Sequence, residues 1–245
     1  MEKPLVTVLL PTFNRPELLV EAINSVGRQT FANWQLWVLN DGGCDITAAV
    51  ATADTAHVAV FELPHRGKAA ALNWAIRRSE TPYVAYLDDD DRWLPHHLET
   101  MLSVLEASTQ YRAAYSAVRE VRLRADAEQP KEITSWIDSV PNLRCTDLLF
   151  RNVVNHNALV HERSLFAEVG LYDESLPVLI DWDMVRRIAR RTRLTHVPVV
   201  TVEHRLWLEP TGKFSTRHLT GFYHNNRRSY RRAYWHVLLK SLALL

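Results

Sequence analysis

The amino-acid sequence predicts an α/β fold in which a mostly parallel central sheet is flanked by helices. Short apolar runs rich in β-branched residues alternate with segments of helical periodicity through the first 107 residues. The runs are apolar throughout, as expected for parallel strands that are buried on both faces. A chain of 245 residues with 47% hydrophobic and 23% charged residues is also long and apolar enough to bury a core.

Each predicted strand of the first half is followed by a predicted helix. The strands span residues 5–10, 34–39, 58–63 and 83–87. The helices span residues 16–28, about 45–53, 68–78 and 94–107. The first helix has good start signals, because Asn14 precedes Glu17 by three residues and Pro16 falls in its first turn.

Beyond residue 110 the alternation weakens. A highly charged stretch at 119–131 indicates either a loop or an exposed edge hairpin. The later pattern predicts a strand at 155–160, a helix at 180–191, a strand at 194–203 and a basic, aromatic-containing helix at 218–242.

Composition argues against several classes of protein. No stretch of about 20 consecutive apolar residues is present, so neither a membrane-spanning helix nor export is expected. Cys44 and Cys145 lie about a hundred residues apart without a neighbouring Cys or His pattern, which fits neither a disulfide framework nor a zinc site. A cytoplasmic location is therefore expected.

The net charge of +1 conceals a basic C-terminal tail. Seven basic residues and no acidic residue follow Glu209, so the remainder of the chain holds 22 basic and 28 acidic residues and carries a net charge of −6. A basic tail on an acidic body suggests contact with a phosphate or an anionic lipid surface. Duplex nucleic acid is not expected, because no nucleic-acid-binding motif accompanies the charge.

Four polar loops follow the four predicted strands. Ligands of open α/β sheets bind beyond the carboxyl ends of the strands, so these loops are the first candidates for a site. They are Pro11-Thr12-Phe13-Asn14-Arg15, Asn40-Asp41-Gly42-Gly43, His65-Arg66-Gly67-Lys68 and Asp88-Asp89-Asp90-Asp91. The first two loops also have sufficient structural explanations, as a helix start and a tight turn.

The four consecutive aspartates form the clearest chemical signal. Their carboxylates repel one another, which is costly unless a cation or a hydrogen-bond donor neutralises them. Mg²⁺ or Mn²⁺ would do so, since both prefer carboxylate oxygens and accept further oxygens from substrate phosphates. For Asp88, Asp89 and Asp90 we favour metal or ribose binding over mere solvation. Asp91 is expected to cap the helix that begins near Leu94.

A second informative carboxylate lies in the predicted helix at 180–191. At about 100° per residue, Asp181 projects onto the middle of the apolar face and Asp183 among the arginines. Asp183 is therefore expected to pair with Arg186 or Arg187. An inward-facing Asp181 would be hydrogen-bonded or lie in a cleft, where desolvation raises its pKa toward that of a general base. We favour a functional Asp181 over a merely satisfied buried one.

These carboxylates are accompanied by candidate phosphate ligands, namely Arg66, Lys68 and the basic tail. An acidic metal site, a carboxylate base and basic phosphate ligands are the groups needed to displace a phosphorylated leaving group.

Four segments resemble the family-2 inverting glycosyltransferases, whose fold is called GT-A. They are VTVLLPTFNRPELLVEAINSVGRQTFANWQLWVLNDGG, RGKAAALNWAI, YLDDDDRWLPHHLE and VGLYDESLPVLIDWDMVRRIA, and the resemblance covers about residues 4–205. It implies a Rossmann-like GT-A sheet with a C-terminal acceptor-side extension. The implied parts are a nucleotide-sugar-binding half at 1–110, an acceptor-side half at 111–210 and a basic helical tail at 211–245.

The resemblance assigns roles in the nucleotide-binding half. The family's base-binding positions are matched by Pro11, Thr12, Asn14, Asp41 and Arg66. The position matched by Arg66 lies near both the base and the diphosphate. The run of aspartates matches the family's DXD motif, usually seen as DADD. On that match Asp88 or Asp89 binds the ribose, and Asp90 binds the metal, Mn²⁺ or Mg²⁺, that bridges the diphosphate.

On the acceptor side, the segment at 180–183 matches the family's ED motif with Ile180 in place of Glu. Asp181 is the catalytic base on this match, in agreement with the helical projection. The missing Glu bears on acceptor preference more than on the type of reaction. Candidate acceptor contacts, each equally explained by packing, are Trp182, Trp136 and His156.

A second departure from the family follows the predicted strand at 194–203. Some relatives carry a metal-binding His there, whereas this chain has Trp207. His204 and His218 are candidates to replace that ligand, although a lone His is more often a surface or packing residue.

The resemblance implies transfer of a sugar from a nucleoside diphosphate, most readily UDP, to a hydroxyl of a saccharide or lipid-linked acceptor with inversion at the anomeric carbon. The tail could pack on the body, contact an anionic membrane at its inner face, or close over the donor through Lys213, Arg217 or His218. One alternative is a non-catalytic sugar-nucleotide-binding or assembly subunit. Another is a sugar nucleotidyltransferase, which is disfavoured because the loop at 11–15 lacks glycine.

Overall fold

A computed structural model describes residues 3–53, 57–124, 130–141, 143–207 and 227–242. The strands of this part of the chain are β1 Val6–Thr12, β2 Trp34–Asp41, β3 Val58–Leu63, β4 Tyr83–Tyr86, β5 Arg92–Trp93, β6 Tyr111–Arg124, β7 Lys131–Asp138, β8 Leu159–Glu162 and β9 Arg193–Trp207. The helices are α1 Pro16–Gly27, α2 Thr47–Ala51, α3 Lys68–Ile76, α4 His97–Glu106, α5 Leu165–Val169, α6 Ile180–Ala189 and α7 Arg227–Leu242.

The strands form one mixed sheet in the order β3-β2-β1-β4-β8-β6-β9-β5, with β7 paired to β6. The strands β1 to β4 are parallel, as predicted for the first half. The second half adds the antiparallel pairs β4–β8, β6–β8, β6–β7 and β5–β9 beside one parallel pair, β6–β9. The carboxyl ends of β1, β2 and β4 therefore lie at one edge, where the candidate loops begin.

Helices cover both faces of the sheet. Alternate residues of β1 point to opposite faces, so Leu9 joins a core with α3, α6 and α7, while Val8 and Leu10 join a second core with α1 and α4. Burial on both faces explains why the first strands are apolar throughout. Among the described residues, no helix is both long and apolar enough to cross a membrane.

The start of α1 differs from the prediction. Pro16 is the first helical residue, as expected, but Arg15 occupies the N-cap position and no side chain caps the helix. Asn14 has a left-handed φ of 57°, and its side chain bonds to a different loop. The capping interpretation of Asn14 and Glu17 is therefore wrong.

The later elements were predicted less well. The charged stretch at 119–131 includes the end of β6 and pairs with β7, so the edge-hairpin alternative is confirmed for its described residues. The strand expected at 155–160 begins only at Leu159, after a 3₁₀ turn over His156–Ala158. The helix predicted for the tail is observed as α7, and residues 218–226 of the prediction lie outside the described part of the chain.

Candidate active site

The loops after β2 and β3 are joined by hydrogen bonds centred on Asp41. The Asp41 carboxylate is 5% exposed and accepts hydrogen bonds from the backbone N–H groups of Arg66 and Gly67, both at 2.9 Å. Gly67 has a φ of 92°, which an L side chain rarely adopts. The Asp41 carboxylate thus fixes the loop that starts α3 and carries Lys68.

Asn14 holds the loop after β1 against the loop after β2. Its Oδ1 accepts a hydrogen bond from the Cys44 N–H at 2.7 Å. A Cβ on Gly43 would lie 2.9 Å from the Asn14 backbone nitrogen, so only glycine permits this approach. Phe13 stacks on His65 with ring centroids 4.2 Å apart, and both rings form the exposed rim of the three loops.

The aspartates after β4 are neutralised mainly by basic side chains. Asp89 accepts hydrogen bonds from the Thr12 hydroxyl at 2.7 Å and from Arg15 Nη1 at 2.9 Å, and the same Nη1 lies 3.1 Å from Asp90 Oδ2. Lys68 Nζ donates to Asp88 Oδ1 at 2.5 Å. Arg15 therefore has a site role that the motif comparison did not assign to it.

Asp91 is not a helix cap, contrary to the prediction. It is 1% exposed and accepts hydrogen bonds from the Arg205 backbone N–H at 2.7 Å and from Asn157 Nδ2 at 2.5 Å. The helix α4 starts later, at His97, without a side-chain cap. Asp91 instead ties β5 to β9 beneath the site.

The carboxylates at this edge fit a divalent cation. Oxygens of Asp88, Asp90 and Asp91 lie within 4.8 Å of one another, and hard cations such as Mn²⁺ and Mg²⁺ prefer such donors. Burial, reinforced by Asp90, raises the pKa of Asp89 to about 7. Burial also raises the pKa of Asp91 to about 8, despite the opposing charge of His204. A cation would relieve this charge crowding.

Asp181 lies in the first turn of α6 and is partly exposed, while Asp183 is 3% exposed. Asp183 pairs with Arg187 at 2.7 Å, which confirms one of its two expected partners. The predicted burial of Asp181 is wrong: the buried carboxylate of this turn is Asp183, which Lys240 of α7 approaches to 3.8 Å, whereas Asp181 stays partly exposed. Asp181 Oδ2 accepts a hydrogen bond from Asn152 Nδ2 at 3.0 Å.

Lys68 connects Asp181 electrostatically to the aspartates after β4. Burial lowers the pKa of Lys68, but nearby carboxylates, chiefly Asp88 and then Asp181, outweigh burial and raise it. The Lys68 ammonium therefore bonds to Asp88 and lies within electrostatic range of Asp181, the carboxylate predicted to be the base.

Two of the three candidate acceptor contacts are packing residues. Trp182 is 1% exposed, and its Nε1 donates to the Leu148 carbonyl at 2.8 Å. His156 is 4% exposed, stacks on Tyr86 and has Nε2 2.8 Å from the Tyr172 hydroxyl; its pKa lies well below the usual value because it is buried.

The third candidate acceptor contact, Trp136, is 40% exposed on β7, and the Arg122 guanidinium lies 5.0 Å from its ring centroid. Arg66, assigned to the base and diphosphate, pairs with Glu174 at 3.0 Å through an exposed side chain.

His204 is close enough to the aspartates to interact electrostatically with Asp91 and Asp90. Its Nδ1 lies 2.7 Å from Glu120 Oε2. Burial lowers the pKa of His204, but Asp91 and Glu120 outweigh burial and raise it to about 10. Trp207, which stands where some relatives carry a metal-binding His, is buried. His218, Lys213 and Arg217 lie outside the described residues.

The fold and the acidic edge define a GT-A glycosyltransferase domain. The sequence matches "Glycosyl transferase family 2" over residues 7–165, and the chain belongs to this family. Solved structures of similar fold include Staphylococcus aureus TarS 1–349 in complex with UDP, with a TM-score of 0.62, 15% identity and coverage of 85% of this chain and 61% of that one.

The mannosyltransferase PcManGT from Pyrobaculum calidifontis, in complex with GDP-Man and Mn²⁺, has a TM-score of 0.60 and 22% identity over 83% of this chain and 57% of that one. An uncharacterized glycosyltransferase of Rickettsia felis is 26% identical over 221 residues. That match covers 88% of this chain but only 36% of the relative, so the chain spans about a third of its length.

A glucosyltransferase of Escherichia coli, WfgD, described as UDP-Glc:alpha-D-GlcNAc-diphosphoundecaprenol beta-1,3-glucosyltransferase, is 31% identical over 107 residues. The match covers 43% of this chain and 42% of WfgD.

Proposed function

We propose that this chain is an inverting glycosyltransferase that moves a sugar from a nucleoside diphosphate, most readily UDP, to an acceptor hydroxyl. The observation that carries the proposal is the placement of Lys68, whose ammonium bonds to Asp88 and interacts electrostatically with Asp181. This geometry lets a basic side chain bind the diphosphate beside a carboxylate that can activate the acceptor. Complexes of similar proteins with UDP or with GDP-Man and Mn²⁺ support a nucleotide sugar as donor.

The joined loops form the proposed nucleotide site. Pro11, Thr12, Asn14 and Asp41 border the base, with Arg66 beside them. Asp41 Oδ2 accepts the Gly67 N–H and lies 3.0 Å from His65 Nδ1, whereas Oδ1 accepts the Arg66 N–H and keeps a second lone pair that can accept an N–H of the base. Asp88 or Asp89 then receives the ribose hydroxyls.

Asp90, with Asp88 or Asp91, would hold the metal, Mn²⁺ or Mg²⁺. When bound, such an ion stabilises negative charge on the departing diphosphate. Arg15 already neutralises part of this carboxylate group and fixes Asp89 and Asp90 in place.

Asp181 is the proposed general base. Asn152 orients its carboxylate by donating a hydrogen bond, and the carboxylate takes the proton of the acceptor hydroxyl. The acceptor oxygen then bonds to the anomeric carbon from the face opposite the diphosphate, the bond from that carbon to the diphosphate oxygen breaks, and the configuration inverts. Lys68 stabilises the charge that develops on the diphosphate.

We propose a saccharide or a lipid-linked saccharide as the acceptor, consistent with the diphosphoundecaprenol-linked substrate in the description of WfgD. The outward face of α7 carries three arginines together with Trp235 and Leu239, which are 53% and 59% exposed. Such a face fits peripheral contact with an anionic membrane. The free cysteines Cys44 and Cys145 fit a reducing, cytoplasmic side of that membrane.

A non-catalytic sugar-nucleotide-binding subunit is the second candidate, since Ile180 replaces the usual Glu. Thermal shift and donor hydrolysis should be measured with UDP-, dTDP- and GDP-sugars, each with and without Mn²⁺. We expect metal-dependent stabilisation by one nucleotide class together with slow release of its diphosphate. Stabilisation without release, even with an acceptor extract added, would favour the binding subunit.

A further inference from the structure

A buried arginine outside the proposed catalytic site has no hydrogen-bond acceptor among the described residues. Arg186, on α6, is 4% exposed, and none of its three side-chain nitrogens has a partner. Its guanidinium lies over the indole ring of Trp182, 4.8 Å from the centroid. The ring stabilises the cation through its face but cannot accept the N–H groups that project from the guanidinium edge.

Such a group is costly unless something binds to it. A buried, unpaired guanidinium loses its hydration without gaining hydrogen bonds, whereas an apolar side chain of similar volume would carry no such penalty. The nearest acid, Asp183, is already engaged, because its Oδ2 accepts Arg187 Nε and Nη2 at 2.9 and 2.7 Å. Arg187, rather than Arg186, therefore accounts for Asp183.

Arg186 lines a positively charged cleft between α6, α7 and the segment at 145–149. Four basic side chains line this cleft with one acidic side chain, Asp183; the basic ones are Arg186, Arg187, Arg190 and Lys240. Lys240 also pairs with Asp173 at 2.9 Å, outside the lining. The cleft has about 320 Å³ of open space including its mouth, but at its centre it admits only a water-sized group. A phosphate oxygen can enter it, and a sugar ring cannot.

We propose that this cleft binds a phosphate group through the unpaired edge of Arg186. The guanidinium presents a planar fork of donors that matches two phosphate oxygens, and the surrounding cations add charge without competing for that fork. The site is distinct from the donor site, because Arg186 follows Asp181 by five residues, about 7.5 Å along the helix axis, and projects about 140° around it. The phosphate can be free or part of an isoprenoid diphosphate.

The test uses the full chain and the variant Arg186→Met, which keeps an unbranched side chain but removes the donors. Arg191→Met is the matched control, since Arg191 is exposed just beyond the end of the same helix. Inorganic phosphate and pyrophosphate are titrated by calorimetry and thermal shift. We expect saturable binding that weakens at least about tenfold in Arg186→Met and stays unchanged in Arg191→Met.

Stability without anion provides a second readout. An Arg186 with an anion-binding role predicts that Arg186→Met is at least as stable as the wild type in phosphate-free buffer, because an unpaired buried charge has been removed. If Arg186 has only a structural role, Arg186→Met should be markedly less stable than the wild type, and phosphate should not change that difference. This result would overturn the proposal.

Further arms separate the donor site and the source of the phosphate. If Lys68→Gln abolishes phosphate binding while Arg186→Met does not, the anion binds at the donor site and the proposal fails, whatever the outcome for the glycosyltransferase activity. Farnesyl diphosphate is compared with pyrophosphate. Tighter Arg186-dependent binding of farnesyl diphosphate identifies an isoprenoid-linked source, and equal Arg186-dependent binding identifies free phosphate. Absence of binding by every anion refutes the site.

Discussion

Replacing Arg15 by Met tests how the aspartates after β4 are held. The Arg15 side chain is 13% exposed, and its partners Asp89 and Asp90 are 6% and 11% exposed, so both ion pairs are well shielded from water. Removing one partner of a buried pair costs about 3–5 kcal/mol. Because Asp89 can relieve the loss by taking up a proton, we expect the lower end, about 3 kcal/mol near neutral pH.

The loss should depend on pH. Burial and Asp90 already raise the pKa of Asp89 to about 7, and without Arg15 the pKa rises further. Between about pH 7 and the higher pKa of the variant, Asp89 is protonated in the folded variant but not in the folded wild type or in the unfolded chain. In this range the free energy of unfolding of the variant continues to fall as pH rises, by up to about 1.4 kcal/mol per pH unit, whereas the contribution of Asp89 to wild-type stability no longer changes.

The assay is urea unfolding with a metal chelator present, at several pH values between about 6 and 8.5. Arg66→Met is the control, since its pair with Glu174 is exposed, at 69% and 32%, and should contribute at most about 1 kcal/mol. The reasoning is refuted if Arg15→Met costs no more than Arg66→Met, or if the gap to wild type does not widen with pH.

Two further predictions concern the metal and the membrane. Mn²⁺ should raise the melting temperature more at about pH 8.5 than at about pH 6, because protons compete with the metal for Asp91, whose pKa burial raises to about 8. Asp90→Asn should remove most of the Mn²⁺-induced rise in melting temperature. If Mn²⁺ raises the melting temperature of Asp90→Asn as much as that of the wild type, Asp90 is excluded as a ligand. Full-length protein should sediment with anionic but not with neutral liposomes. The double variant Arg231→Glu, Arg232→Glu should sediment with neither, and its fold should persist because both side chains are exposed. Unchanged sedimentation of the double variant would exclude the outward face of α7 as the membrane contact.

The first half of the fold could be predicted because each element is specified locally. The strand β3 has its predicted bounds, Val58–Leu63, since a short apolar run between polar neighbours has one simple interpretation. The carboxyl ends of parallel strands meet at one edge, so the positions of Asp41 and Asp88 followed from the pattern alone.

The rest depends on contacts between distant parts of the chain. Asp91 bonds to Arg205, 114 residues away, because β9 pairs with β5, and nothing near Asp91 in the sequence indicates this. The helical projection correctly placed Asp183 beside Arg187 but wrongly buried Asp181, because it assumes that one face of α6 is buried, whereas Lys240 of α7 also approaches α6 on the Asp183 side. Arg15 and Lys68 were visible as loop residues, but their carboxylate partners were not.

The role of Asp181 is the central claim, and sugar transfer by Asp181→Asn tests it most directly. The variant is compared with the wild type and with Glu80→Gln, an equal charge change at an exposed position before β4, at the opposite edge of the sheet. Loss of the base should lower turnover by about 10²- to 10⁴-fold, while UDP binding stays unchanged because Asp181 does not contact the nucleotide in this proposal. Turnover within tenfold of the wild type would contradict the account.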